Sequence, residues 1–90
     1  MENLNKNWVL QIDPKVLKIV KKFPQKDTKR IVAVLESLPT NPYAGDIQKM
    51  AGEKNVWRRR IGSYRIFFEL ITEEKVIHVY HAERRTTTTY

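Results

Sequence analysis

Arg58, Arg60 and Arg65 are the residues of this chain best suited to chemistry, because Gly62 and Ser63 bring them together. Two β-prone runs, Val56–Ile61 and Tyr64–Ile71, are separated by those two residues alone, which predicts a tight hairpin. The register follows: Ile61 faces Tyr64, Arg60 faces Arg65, Arg58 faces Phe67 and Trp57 faces Phe68. Directly opposed residues share a face of a sheet, and opposed like charges destabilise it. The planar guanidinium fork matches a phosphate oxygen pair better than lysine's point charge does. Three of them on one patch call for an anion lying across it.

A polar turn, Thr72-Glu73-Glu74-Lys75, leads into a last strand from Val76 to His81 or beyond. Pairing across that turn sets Ile71 opposite Val76 and continues as Leu70–Ile77, Glu69–His78, Phe68–Val79 and Phe67–Tyr80. His78 and Glu69 therefore read either as an acid–base pair or as an ordinary cross-strand polar pair. Phe67 and Tyr80 flank the arginines, and basic residues interleaved with aromatics hold single-stranded nucleic acid, each stacked base contributing about 1–3 kcal/mol. If the alternation persists past Ala82, Arg84 joins the same face, while His81 turns toward the covered face beside Ile66.

The elements that position this hairpin are short. Trp8 to Ile12 reads as a first strand. Asp13-Pro14 supplies an N-cap and a proline at the first helical position. Val16, Ile19, Val20 and Phe23 then recur at helical spacing, with Lys15, Lys18 and Lys22 as the wet side, until Pro24. A second helix runs from Gln25 or Asp27 to Leu38 on an Ile31, Val34, Leu35 and Leu38 stripe, and Pro39 ends it. The short connection at Pro24 predicts an antiparallel helical hairpin. Residues 39–54 read mostly as loop, with turn chemistry in Asn41-Pro42-Tyr43-Ala44-Gly45 and at Gly52.

Two faces separate on this reading. Trp57, Ile61, Tyr64, Ile66, Phe68, Leu70, Ile77 and Val79 form an apolar side able to carry the helices. Arg58, Arg60, Arg65, Phe67, Glu69, His78, Tyr80 and Ala82 form the other. Arg59 breaks the pattern by pointing coreward, its stem along apolar surface and its head at an edge.

Bulk properties agree with an anionic partner. The 90 residues carry a net charge of +7, which suits nucleic acid, an anionic membrane surface or an acidic protein. The length fits one domain, residues 1–90, with a single core. Absence of cysteine excludes disulfides and cysteine-ligated metal sites. No apolar run approaches a membrane span and no signal pattern opens the chain, so the cytoplasm is the expected compartment. No carboxylate–histidine spacing argues for a metal, and no cofactor is expected.

Taken together, the strand, the helical hairpin, Asn41-Pro42-Tyr43, Met50-Ala51-Gly52, the stretch from Trp57 to Arg65 and a closing strand with Arg84-Arg85 and Tyr90 resemble the RelE/ParE superfamily of toxins from toxin–antitoxin pairs. The W-R-x-R-x-G-x-Y-R hairpin is the most specific part. The resemblance implies an α+β fold: an N-terminal strand and two-helix hairpin on one face of a curved antiparallel sheet, with a basic concave face opposite. For the RelE branch it implies a ribosome-dependent endoribonuclease cutting mRNA in the A site, and an antitoxin partner that wraps the toxin.

Carried over by position, Arg65 matches the arginine on the scissile phosphate, and Arg58 and Arg60 match two basic positions of the site, often lysine. Arg84 matches the late-strand arginine, although the tail departs from the family pattern at Glu83-Arg84 and Arg85 is the alternative. Tyr90 matches a tyrosine that stacks on or orients a substrate base. Arg85, Phe67 and Tyr80 are expected to bind RNA. Arginine stays protonated and is a poor general base, so the base is open between His78 with Glu69, Tyr90 and a ribosomal group, or the positive potential acting alone. A gyrase-inhibiting ParE-like toxin and a non-catalytic basic binding module are the competing expectations.

Overall fold

Burial of one face of a sheet, clearest along its central strand, organises the molecule. The computed structural model describes residues 8–85. Its elements run β1 (Val9–Ile12), α1 (Pro14–Lys21), α2 (Gln25–Ser37), β2 (Ile47–Lys49), β3 (Val56–Ile61), β4 (Tyr64–Ile71) and β5 (Val76–Arg84). The strands form one sheet in the order β1-β5-β4-β3-β2. In β4 the alternation is complete: Tyr64, Ile66, Phe68 and Leu70 are buried, and the residue after each of them is half-exposed.

Both helices cover that apolar face. Val16 and Val20 from α1 and Ile31 and Leu35 from α2, with Leu38 just beyond it, meet Ile61, Ile66, Phe68, Leu70, Ile77, Val79 and Ala82. Full burial of each large aliphatic or aromatic side chain contributes roughly 1.5–3 kcal/mol. The other face has no such cover among the described elements and keeps its polar side chains in water. Asp13 caps α1 as its spacing suggests, accepting a bond from the Lys15 backbone N–H at 3.0 Å, with Pro14 at the first helical position. Gly62 has φ +60° in the β3–β4 turn, the left-handed value a two-residue type II′ hairpin requires of its first loop residue. The hairpin register is the expected one at every pair from Trp57–Phe68 to Ile61–Tyr64.

Three expectations need correction. The sheet is mixed, because β1 runs parallel to β5, Val9 opposite Val76 through Ile12 opposite Val79. A chain that crosses from β1 into helices and returns to the β1 edge four strands later is free to dock in parallel. Second, residues 39–54 hold an edge strand: Ile47–Lys49 pairs antiparallel with Trp57–Arg59. Three residues with one apolar side chain give no periodic signal, and pairing to β3 alone makes them a strand.

The third correction bears on the site. The β4–β5 pairing shifts between Phe68 and Phe67: Phe68 faces Val79, but Phe67 faces His81. Tyr80 is thus the extra residue of a β-bulge. Beyond it every β5 side chain changes face relative to the sequence reading. Ala82 is buried against Ile66, not on the open face, and His81 is on the open face beside Phe67, not beside Ile66.

α2 is tied to the hairpin by one polar contact. Tyr64 donates its hydroxyl to Asp27 Oδ2 at 2.6 Å, from within the apolar core. That hydrogen bond, then burial, holds the phenol above its ordinary value of 10.0. The folded state therefore binds this proton more tightly than the unfolded chain. Its contribution is whole below pH 10.0 and is lost as pH rises through the raised value. Thermal unfolding should show Tyr64→Phe melting below the wild type at neutral pH, with the gap closing in strong alkali. A gap that is constant with pH would remove the Tyr64–Asp27 bond as its cause.

Candidate nucleic-acid interface

β3 and β4 present arginines by strand alternation alone. Arg60 lies directly opposite Arg65, and Arg58 sits two residues back along β3, opposite Phe67. A pocket of about 140 Å³ opens on this face, lined by Asp46, Gln48, Arg58, Arg60, Arg65 and Arg85. Four cationic groups from three neighbouring strand segments thus converge, as the sequence reading expected of four, but with Arg85 where it placed Arg84, and against one lining carboxylate. The room suits a small anion such as a phosphodiester.

The cluster is held apart by its own chain. Arg60 Nε donates to Asp46 Oδ2 at 3.0 Å, and the Arg60 backbone N–H donates to the Asp46 carbonyl at 2.9 Å. Arg58 donates to the Gln48 side-chain carbonyl. Arg65 pairs with Glu83 Oε2 at 3.4 Å, and His81 Nε2 lies 3.1 Å from Glu83 Oε1. Asp46, Gln48 and Glu83 were not recognised in the sequence. Asp46 and Gln48 enter only because β2 pairs with β3, and Glu83 enters only because of the bulge. Neither event has a pattern of its own.

Of the expected site residues, Arg58, Arg60 and Arg65 come together and Arg85 joins them. The Arg85 backbone N–H donates to the Ser63 carbonyl at 2.6 Å, which carries the end of β5 alongside the hairpin turn. Arg84 does not join them. It faces Tyr64, with its guanidinium 5.4 Å from that ring's centre, so the bulge has moved it to the other face. Phe67 and Tyr80 do sit together on the open face, ring centres 6.4 Å apart. Burial, with Glu53 and Glu69 nearby, pushes the Tyr80 phenol up. Glu69 and His78 are opposed in register as expected. They lie four β4 residues from Arg65, about 13 Å at strand rise. Tyr90 lies outside the described residues.

Arg59 behaves as its coreward position demands. Its guanidinium donates to the Ala44 carbonyl at 3.1 Å beneath the loop before β2. Gly45, at φ +87°, makes room: a Cβ there would come 2.3 Å from the Arg59 Cζ. Arg59 is thus a brace for the loop that delivers Asp46. Among the described residues no three histidine or carboxylate side chains cluster as a metal cage would, and no helix is long and apolar enough to cross a membrane.

The model of the family described as the ParE toxin of type II toxin–antitoxin systems, parDE, matches residues 10–86. A protein bearing the toxin name RelE1, from Methanocaldococcus jannaschii, is 30% identical over 79 residues, covering 84% of this chain and 88% of its own length. The archaeal RelE–RelB complex of Pyrococcus horikoshii OT3 shares the fold at a TM-score of 0.78 and 22% identity, over 91% of this chain and 99% of that one. The isolated E. coli RelE toxin does so at 0.76 and 18%, over 90% and 87%.

Asp46 occupies Arg60 and so competes with any bound phosphate. Asp46→Asn should tighten binding of a short single-stranded RNA and steepen its dependence on salt, since another cation becomes available to displace counterions. Titrations at several salt concentrations read both quantities. Unchanged affinity and slope would mean that Arg60 does not contact the strand.

Proposed function

This chain belongs to the RelE/ParE superfamily of type II toxin–antitoxin toxins, and on that premise we propose that it is a RelE-like ribosome-dependent endoribonuclease. Its substrate is mRNA in the ribosomal A site, its compartment is the cytoplasm, and a cognate antitoxin neutralises it. The observation that carries this reading is the convergence of Arg58, Arg60, Arg65 and Arg85 on one pocket beside the Phe67–Tyr80 pair. The antitoxin part rests on the relatives, since the P. horikoshii structure is a RelE–RelB complex.

Cleavage of RNA by its own 2′-hydroxyl needs three things from a protein. The reacting oxygens must be held in line, the charge gained at phosphorus must be stabilised, and protons must leave the nucleophile and reach the leaving oxygen. Arg65 and Arg60, opposed across the hairpin, are placed to bind the two non-bridging oxygens of one phosphate and to oppose the charge of the pentacoordinate transition state. Arg58, one pleat away, grips a flanking phosphate. Arg85 takes the place at the pocket expected of Arg84, beside the leaving oxygen. Phe67 and Tyr80 offer a surface for a base, and Tyr90 is assigned a second base by its position in the family pattern. All of this is electrostatics and positioning, and no metal or cofactor enters it.

The family model carries the ParE name, so gyrase inhibition is the second reading. Inducing the protein in cells and mapping mRNA ends separates the two. Codon-phased cuts within reading frames are expected, reduced about 10²–10³-fold in Arg65→Ala, the range for removing one transition-state donor. Intact mRNA with damaged DNA would overturn the nuclease in favour of gyrase inhibition. Intact mRNA with normal growth would leave a binding module.

A further inference from the structure

We propose that His81, oriented by Glu83, is the group that takes the proton from the attacking 2′-hydroxyl. The proposal rests on the nuclease reading and supplies the part that the arginines cannot, because a guanidinium does not act as a base near neutral pH.

Position is the first argument. The 2′-hydroxyl belongs to the ribose that joins a base to the phosphate under attack. On the open face the phosphate pocket holds Arg65, and the aromatic pair Phe67–Tyr80 lies next along the strands. His81 adjoins both: it lies opposite Phe67, ring centres 5.3 Å apart, and Glu83 links it to Arg65. A strand with its phosphate on the arginines and its base on the aromatics passes its sugar over His81. The sequence-level candidate, His78 with Glu69, lies one pleat further from the pocket.

Hydrogen bonding is the second argument. Glu83 spans two partners, Oε2 on the Arg65 guanidinium at 3.4 Å and Oε1 on His81 Nε2 at 3.1 Å. A carboxylate accepts, so the imidazole donates from Nε2 and keeps the lone pair of Nδ1 for an incoming proton. Glu83 is therefore a positioning residue that fixes the arginine and the imidazole relative to one another. Both His81 and Glu83 are partly open to solvent, with side-chain exposures of 42% and 39%, so substrate can reach the ring.

The step balances simply. The 2′-hydroxyl proton passes to His81 Nδ1 as the 2′ oxygen bonds to phosphorus. The bond from phosphorus to the 5′ oxygen breaks, and that oxygen takes a proton from water. The products are a 2′,3′-cyclic phosphate and a 5′-hydroxyl end, and His81 later returns its proton to solvent. The groups sharing the open face with His81 are Arg65 and Glu69 on β4, Arg58 and Arg60 on β3, Asp46 just before β2, Glu53 beside Tyr80, His78, Tyr80 and Glu83 on β5, and Arg85 just after it. β1 pairs with β5 only as far as Val79, and the helices lie behind the sheet.

The test is single-turnover cleavage of mRNA on programmed ribosomes, followed as a function of pH. Wild-type cleavage should rise with pH along a limb of unit slope and then level off. His81→Gln should lose about 10²-fold or more, and with it the limb; His81→Ala should recover rate when free imidazole is added. Glu83→Gln, which still offers an oxygen to the imidazole N–H, should keep the limb with a smaller loss, and Arg65→Ala should keep the limb at a reduced rate. A His81→Gln protein that retains the wild-type rate and limb would overturn the assignment while leaving the nuclease standing. Wild-type protein that leaves ribosome-bound mRNA uncut would instead overturn the nuclease reading, and this inference with it.

Discussion

A strand buried on one face must send every second side chain to the other, and only an added residue can change that assignment. Here the constraint acts twice. Along β3 and β4 it runs unbroken from the Gly62-Ser63 turn, and it alone sets Arg60 against Arg65. In β5 it is broken once, at Tyr80, and both sides of the break still bury their apolar residues: Val79 before it and Ala82 after it. The bulge thus satisfies the core while exchanging the polar set. Without it Arg84 would face the pocket and His81 would be pressed against Ile66. With it His81, Glu83 and Arg85 reach the open face. Bulges are frequent at working sites for this reason: they re-aim side chains with little loss of pairing.

The crowding of guanidinium groups that results is tolerable because each of the three hairpin arginines of the pocket has a polar neighbour. Gln48, Asp46 and Glu83 meet Arg58, Arg60 and Arg65 respectively. Such contacts are weak as sources of stability. The Arg60–Asp46 pair has side-chain exposures of 57% and 61%, and exposed pairs contribute only about 0–1 kcal/mol. Their value is geometric: they restrict long side chains to a few rotamers before any ligand arrives, which lowers the ordering cost of binding. The pocket keeps a surplus of positive charge, because only Asp46 among its lining residues is acidic. Arg59 serves the same end indirectly, holding Ala44 so that the following Asp46 is presented to Arg60.

Legibility followed the strength of local signals. The two-residue turn sets a register that the β3–β4 hairpin keeps pair by pair, because hairpin loop length leaves no freedom to slide. The apolar stripe of each helix and the alternation of β4 were equally plain. The register of β5 was legible only from its turn as far as Val79. Nothing in Val79-Tyr80-His81-Ala82 marks an extra residue: Tyr80 and His81 are both tolerated on a wet face, and Ala82 is small enough for either. The choice between Arg84 and Arg85 was undetermined for the same reason. β2 was hidden because Ile47-Gln48-Lys49 has no strand pattern, and its pairing comes from β3. The residues that sequence reasoning missed are thus the ones that non-local pairing supplies.

The use of arginine at all three hairpin positions separates two jobs that lysine can combine. A lysine amine carries positive charge and, suitably desolvated, takes up a proton. Arginine gives a fixed, flat, permanently charged pair of donors and no lone pair to offer. An all-arginine pocket can therefore be tuned for charge gained at phosphorus without regard to the protonation of its own members. On the proposed nuclease reading, proton transfer is left to a group whose chemistry is different, and the sheet has to provide that group within one pleat of the arginine pocket. The bulged strand is where it can do so, because beyond Tyr80 it presents His81 and Glu83 to the open face, and Arg85 just after it reaches the same pocket. Division of labour between a rigid cationic hairpin and a re-aimed third strand is the arrangement that this choice of side chain requires.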